Sequence, residues 1–299
     1  MRLSDLQTPA VAPPEPVDDG RPYDLFVADG GARPLLFASP HSGKLYPTAM
    51  RAALTVPLID LKRTEDAFID EMFRPVTRLG GQVLAARYAR AFVDLNRDAA
   101  ELDPGMFADG TPRPCGVPGA RVQAGLGSLP RVGASGRNIY AHRLSRAEGE
   151  SRLTDVHDAY HARLKGELQA LRSRFGAAFL IDCHSMPSVQ PGRRGLAEIV
   201  LGDRFGSSCC GRLTSAVERA FRRLGYRVAR NAPYAGGYTT RQYGRPRRGI
   251  HVLQIEIRRD LYMDETLVKK TAGFSSLQAD IFSVCNDLAA HVDDRTSLN

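Results

Sequence analysis

The stretch AAFLIDCHSMPS, residues 177–188, runs a strand-like apolar segment straight into Asp182, Cys183, His184 and Ser185. A second such segment, PLLFASPHSG, ends at His41, and RTEDAF follows with Glu65 and Asp66 side by side. Two imidazoles and a carboxylate are the donor set of a catalytic zinc site, which takes three protein ligands and leaves a fourth position for water. Such an ion lowers the pKa of that water toward neutrality and polarises a carbonyl. His41 taken alone fits a loop histidine bonded to backbone equally well. His184 has more to recommend it, because Asp182 lies two positions earlier, on the same face of an extended chain, where a carboxylate can orient a ligating ring. Glu256 in HVLQIEIRRD alternates with apolar residues and shares a face with Gln254. It suits a general base, or else an ion pair with Arg258 or Arg259. Arg90, Arg97 and Arg241 offer guanidinium forks for a carboxylate-bearing substrate.

A competing motif is HDAYH, His157–His161, with two histidines four apart at helical spacing. The metalloprotease pattern has Glu where this chain has Asp158, and that carboxylate falls one methylene short of the attacking water. A buried or pocket-lining His161 fits better. Cys183 and His184 cannot form a nucleophile and base pair, since neighbours on a strand face opposite ways. Ser185 lacks the turn of a nucleophile elbow, and no phosphate-binding G-x-x-x-x-G-K-[ST] loop is present.

Strands alternating with helices must carry these groups. The spacing predicts strands at YDLFVADG and PLLFASPHSG, a strand or a pair of strands over QVLAARYARAFVDLNRD, then strands at AAFLIDC, LAEIVLGD, YRVAR and HVLQIEI. Helices are expected over Val56–Leu79, through LTDVHDAYHARLKGELQALRSRFG, near Ala216–Leu224 and toward Leu288, with a loop-like Gly/Pro-rich stretch over 99–138. Val156, Tyr160, Leu164, Leu168, Leu171 and Phe175 form one apolar stripe closed by Gly176. This pattern is the α/β class, a mainly parallel mixed sheet with helices on both faces. Residues 1–20 read as a flexible Pro-rich lead-in and 21–299 as a single α/β domain. In open α/β sheets the ligand crevice lies beyond the carboxyl ends of the strands. Four strand ends, at His41, His184, Arg97 and Asp203, are therefore expected to converge on one edge.

Composition narrows the partners. The 299 residues are 43% hydrophobic and 25% charged, enough for a sizeable core. A net charge of +8 could indicate nucleic acid, but the arginines are scattered, aromatics are 7% and no nucleic-acid module is recognisable. A small anionic substrate accounts for the basic balance equally well. Five cysteines without a CxxC pair argue against a disulfide framework and suit a cytoplasmic protein. Neither a signal peptide nor a membrane-spanning apolar run is apparent. Oligomeric state leaves no trace in the sequence.

The ordered set SPHSG, TEDAFIDEMF, RYARAFVDLNRD, DAYH, LIDCHSM, LGDRFG, GGYTTRQYGRP and GIHVLQIEIRRDLYMDE resembles the N-formylglutamate amidohydrolase family. The resemblance covers nearly the whole chain beyond residue 30. It implies a three-layer α/β fold related to zinc-dependent exopeptidases, one zinc or other divalent ion per chain, and hydrolysis of N-formyl-L-glutamate to formate and L-glutamate in histidine breakdown. His41 and His184 match the family's histidines as metal ligands, and Asp66 the acidic one, with Glu65 as the alternative. Glu256 matches the family's glutamate and would be the base. Arg97 would stabilise the oxyanion, while Arg90, Asn96, Arg241, Tyr238, His161 and His251 also fall on family positions and would contact substrate or line the pocket. Beside this reading stand a relative acting on another N-acyl amino acid or small peptide, and a non-catalytic anion-binding one.

Overall fold

A computed structural model describes residues 19–190, 192, 195 and 197–296. Most of the expected lead-in, residues 1–18, lies outside the described residues. The main sheet has seven strands: β1 (Tyr23–Phe26), β2 (Leu35–Ser39), β3 (Gln82–Ala86), β4 (Ala178–Met186), β5 (Ile199–Gly202), β6 (Val228–Arg230) and β7 (Ile250–Arg258). Their spatial order is β1-β3-β2-β4-β7-β5-β6. The central block β3-β2-β4-β7 is parallel, β5 runs antiparallel to β7, and β1 antiparallel to β3. Every residue of β2 and β4 is buried, which is why both read as unbroken apolar runs in the sequence.

The period of two divides the strand residues between two cores. Phe37, Phe179, Ile181, Cys183, Leu253, Ile255 and Ile257 face one of them. This core is covered by helices α3 (Ile69–Phe73), α7 (Gly211–Arg223) and α9 (Gly273–Thr296). Leu36, Ala38, Leu180 and Val252 face the other, under the long helix α6 (Ala159–Phe175). Helices thus lie on both faces, and the apolar stripe of α6 buries Tyr160, Leu164, Leu168 and Leu171. Gly176 closes α6 at φ 75°, in the left-handed conformation that favours glycine.

Three expectations need correction. Of the strand or pair of strands expected over 82–98, only Gln82–Ala86 pairs in the sheet, and Arg97 lies in the turns that follow. The stretch 56–79 is not one helix but a short α2 (Leu58–Lys62), a turn, α3 and a 3₁₀ turn over 74–79. Its apolar spacing is helical, yet the Asp66 amide bonds the His41 carbonyl at 3.0 Å and Phe68 sits at φ 68°, both incompatible with a continuous helix. Nor do the four strand ends converge. Because β5 runs against β7, Asp203 is carried away from the common edge and caps a turn, accepting bonds from the Gly206 amide, Thr214 Oγ1 and Asn231 Nδ2.

Candidate active site

The parallel register sets the site. Within the β4–β7 pair, Asp182 lies opposite Gln254 and His184 opposite Glu256. All four side chains emerge on the α6 face, while Cys183 turns into the opposite core. His41 follows β2, the neighbour of β4 on its other side, and the His41–Asp66 backbone bond brings the acidic turn beside it.

His41, Asp66 and His184 are all buried, and one donor atom from each lies within 4.8 Å of the others. Asp66 Oδ2 is 2.9 Å from His184 Nδ1 and 3.3 Å from His41 Nδ1. The far nitrogen of each ring also meets a carboxylate. His41 Nε2 is 2.7 Å from Asp94 Oδ1, and His184 Nε2 is 3.1 Å from Asp182 Oδ1, with the Asn96 amide at 3.1 Å as well. Both rings turn Nδ1 toward Asp66 Oδ2, so protons or a divalent cation must fill the space between these three donors. Beyond that approach of His184, neither Asp182 oxygen has a hydrogen-bond partner among the described residues. Two nitrogens and a carboxylate oxygen, each imidazole backed by an acid, fit a divalent metal. Glu65 is not part of this cluster, because its carboxylate accepts the hydroxyl of Tyr46.

The surroundings hold these groups rigidly. Arg259 donates to Asp66 Oδ1 at 3.0 Å and to Ser185 Oγ at 3.1 Å, and Arg90 donates to Asp94 Oδ2 at 2.8 Å. Burial alone would raise Asp66, but hydrogen bonds from His184 and His41 outweigh it and hold the carboxyl well below its usual range. Asp94 is likewise held low against burial, by Arg90 and His41. Glu256 shows the opposite balance. Burial pushes its pKa up to about 7, helped by Asp66 and Asp182 and opposed by His184 and Arg90. Gln254 bridges the Glu256 carboxylate and the Gly237 amide, at 2.9 Å on each side. A Cβ at Gly237 would lie 2.4 Å from Asn96 Nδ2, so only glycine lets this turn approach so closely.

These groups open into a cavity of about 560 Å³ whose walls include His41, Asp66, Arg90, Asp94, Asn96, Arg97, His184, Gln254 and Glu256. Arg97 makes no ion pair among the described residues. It donates to the carbonyls of Leu126 and Asn96, and burial lowers its pKa, with help from the neighbouring Arg121 and Arg90 and against the charges of Asp94 and Glu101.

Four residues singled out from the sequence lie outside the cavity wall. Arg241 sits on α8 (Tyr238–Tyr243), half exposed, facing Asp98 and Glu101 at 3.5 and 3.8 Å. Tyr238 packs edge-on against His161. His161 donates from Nε2 to the Leu95 carbonyl at 2.9 Å and accepts the Tyr243 hydroxyl on Nδ1, while burial and the charge of His157 lower its pKa to about 3. His157 meets the Arg97 carbonyl at 2.9 Å, so the HDAYH pair braces the segment 95–97 and is no metal site. His251 occupies the far end of β7, about 16 Å of strand from Glu256 at ~3.3 Å per residue. There it stacks on Phe179 and accepts the Cys210 amide.

Asp94, Arg63, Arg121 and Arg259 reach the site without having been singled out from the sequence. For Asp94 a signal existed, since it stands two residues before Asn96 in VDLNR and so on the same side of an extended segment. Replacing Asp94 by Asn is expected to weaken metal affinity or activity by about 10- to 100-fold, as loss of a carboxylate behind a ligating histidine does. Competition with a chromogenic chelator measures the affinity, and an unchanged value would remove Asp94 from that role.

An α/β sheet with helices on both faces, carrying a buried two-histidine, one-carboxylate cluster beside a raised glutamate, is the framework of a metal-assisted hydrolase. A model of the N-formylglutamate amidohydrolase family matches residues 33–263, and the chain belongs to that family. Curated N-formylglutamate deformylases of Pseudomonas aeruginosa and Pseudomonas putida are 33% and 32% identical to it, over 79% of this chain and 84% of each relative. A crystal structure of an N-formylglutamate amidohydrolase from Ralstonia eutropha JMP134 superposes with a TM-score of 0.86 at 37% identity, covering 91% of this chain and 99% of that one. A gene product of Agrobacterium tumefaciens, at TM-score 0.57 and 19% identity over 93% and 96% of the two chains, shares the fold.

Proposed function

We propose that the chain hydrolyses N-formyl-L-glutamate to formate and L-glutamate, a step of histidine breakdown. The observation that carries this reading is the register that sets Glu256 beside His184, in a cavity whose wall also holds His41, Asp66 and Arg97. A zinc or similar divalent ion held by His41, Asp66 and His184 would supply Lewis acidity and a water of lowered pKa. Glu256, with its pKa near neutrality, accepts a proton from the attacking water. It then returns that proton to the amine nitrogen as the C–N bond breaks, so one water is consumed and formate and the free amino acid leave. Arg90, committed to Asp94, holds that acid in place; Arg97 remains to receive the developing oxyanion or a substrate carboxylate. Asn96, fixed by the Thr239 amide on its oxygen, presents its NH₂ group toward His184.

The test is release of formate from N-formyl-L-glutamate by zinc-replete protein beside the same protein stripped with a chelator. Turnover that chelation abolishes and zinc restores is the expected result. Turnover indifferent to chelation would remove the metal from the reaction, and no turnover on this or other N-formyl amino acids would remove the reaction.

A further inference from the structure

The cavity wall carries five arginines, and four of them already have work within the fold. Arg90 binds Asp94, Arg259 binds Asp66, Arg63 gives two N–H groups to the Thr266 carbonyl, and Arg97 is fixed to the Leu126 carbonyl through Nε. The fifth, Arg121, on the short helix α4 (Ala120–Gln123), has a guanidinium with no hydrogen-bonding or acidic partner among the described residues. It lies close enough to Arg97 for the two positive charges to oppose one another. Two cations on one wall, neither in an ion pair among the described residues, are stabilised by an incoming ligand with two acidic groups. The wall itself is anchored, for Ser135 donates from its amide and hydroxyl to Asp60, both at 2.9 Å, and Ser128 closes on the Asp94 amide.

We infer that Arg121 is the receptor for the side-chain carboxylate of the substrate, with Arg97 taking the main-chain carboxylate, so that Arg121 sets the preference for acidic over neutral N-acyl amino acids. This rests on the hydrolytic reading above and adds to it the residue that chooses the amino acid. The experiment compares kcat/KM on N-formyl-L-glutamate and on its near-isostere N-formyl-L-glutamine, for the wild type, Arg121→Gln and Arg121→Lys. In Arg121→Gln the glutamate-to-glutamine preference should fall about tenfold or more, the effect of one lost charge-assisted contact, and Arg121→Lys should restore part of it. An equal decline on both substrates, or a preference that does not change, overturns the assignment. Should the wild type hydrolyse neither compound, the reaction is lost but the assignment is still tested. Calorimetric titration with N-acetyl-L-glutamate and N-acetyl-L-glutamine must then show a selectivity that Arg121→Gln removes, and equal affinities in the wild type would overturn it.

Discussion

Glu256→Gln is expected to lower kcat by about 10²- to 10⁴-fold, the range of a positioned proton acceptor, while the protein keeps its metal. Glutamine preserves the shape of the side chain and can still meet Gln254, but it cannot take a proton from water. The raised pKa favours this position over Asp66 or Asp94 for the proposed role of base. Those two acids are held ionised by histidines and arginines, whereas Glu256 is poised to exchange a proton near neutral pH. Metal content by elemental analysis and turnover on the same preparation decide the matter. Activity within a few-fold of wild type would take Glu256 out of the reaction, and loss of metal together with activity would make it a ligand instead.

His184→Ala should do both. The imidazole is the middle of a row, with Asp66 on one nitrogen and Asp182 and Asn96 on the other. Its removal deletes one of three donors, and metal content and turnover should fall together below detection. Asp66 and Asp182 would then lose the imidazole that lies within hydrogen-bonding distance of each, and Glu256 a neighbouring one, so a lower unfolding temperature is also expected. A far-ultraviolet circular dichroism spectrum like that of the wild type establishes that the loss is local. Full metal occupancy in the variant would place the ion elsewhere.

Much of this site is legible in the sequence because buried parallel strands are unbroken apolar runs, and the first polar residues after such a run lie at the crevice. The alternation that puts Asp182 and His184 on one face, with Cys183 on the other, follows from the chain's geometry alone, as does the pairing of Gln254 with Glu256. Strand direction is different. Nothing local in LAEIVLGD distinguishes a parallel from an antiparallel neighbour, so Asp203 looks like one more member of the site until β5 is seen to run backward. Matching a family position also does not place a side chain in the cavity. His161 and His251 match, yet one braces the 95–97 segment and the other belongs to the opposite end of β7. Arg121 and Arg241 cannot be told apart by residue type, since each is an exposed arginine on a short helix. The course of the 99–138 segment separates them, and it is held by scattered loop hydrogen bonds that carry no periodic pattern.

The strand that carries Glu256 is inserted between β4 and β5, both of which precede it in the chain. A ribosome therefore delivers two finished strands whose shared neighbour does not yet exist, and each waits with an unmatched backbone edge. Until residue 250 and its successors emerge, the sheet has two halves and no seam, and the half bearing His41, Asp66 and His184 cannot close its cavity. Chains interrupted before that point present open edges of the kind that pair with other chains. Proteolytic or translational fragments ending short of β7 are thus the forms most prone to self-association, and the cluster of His41, Asp66 and His184 is enclosed only after β7 has been synthesised.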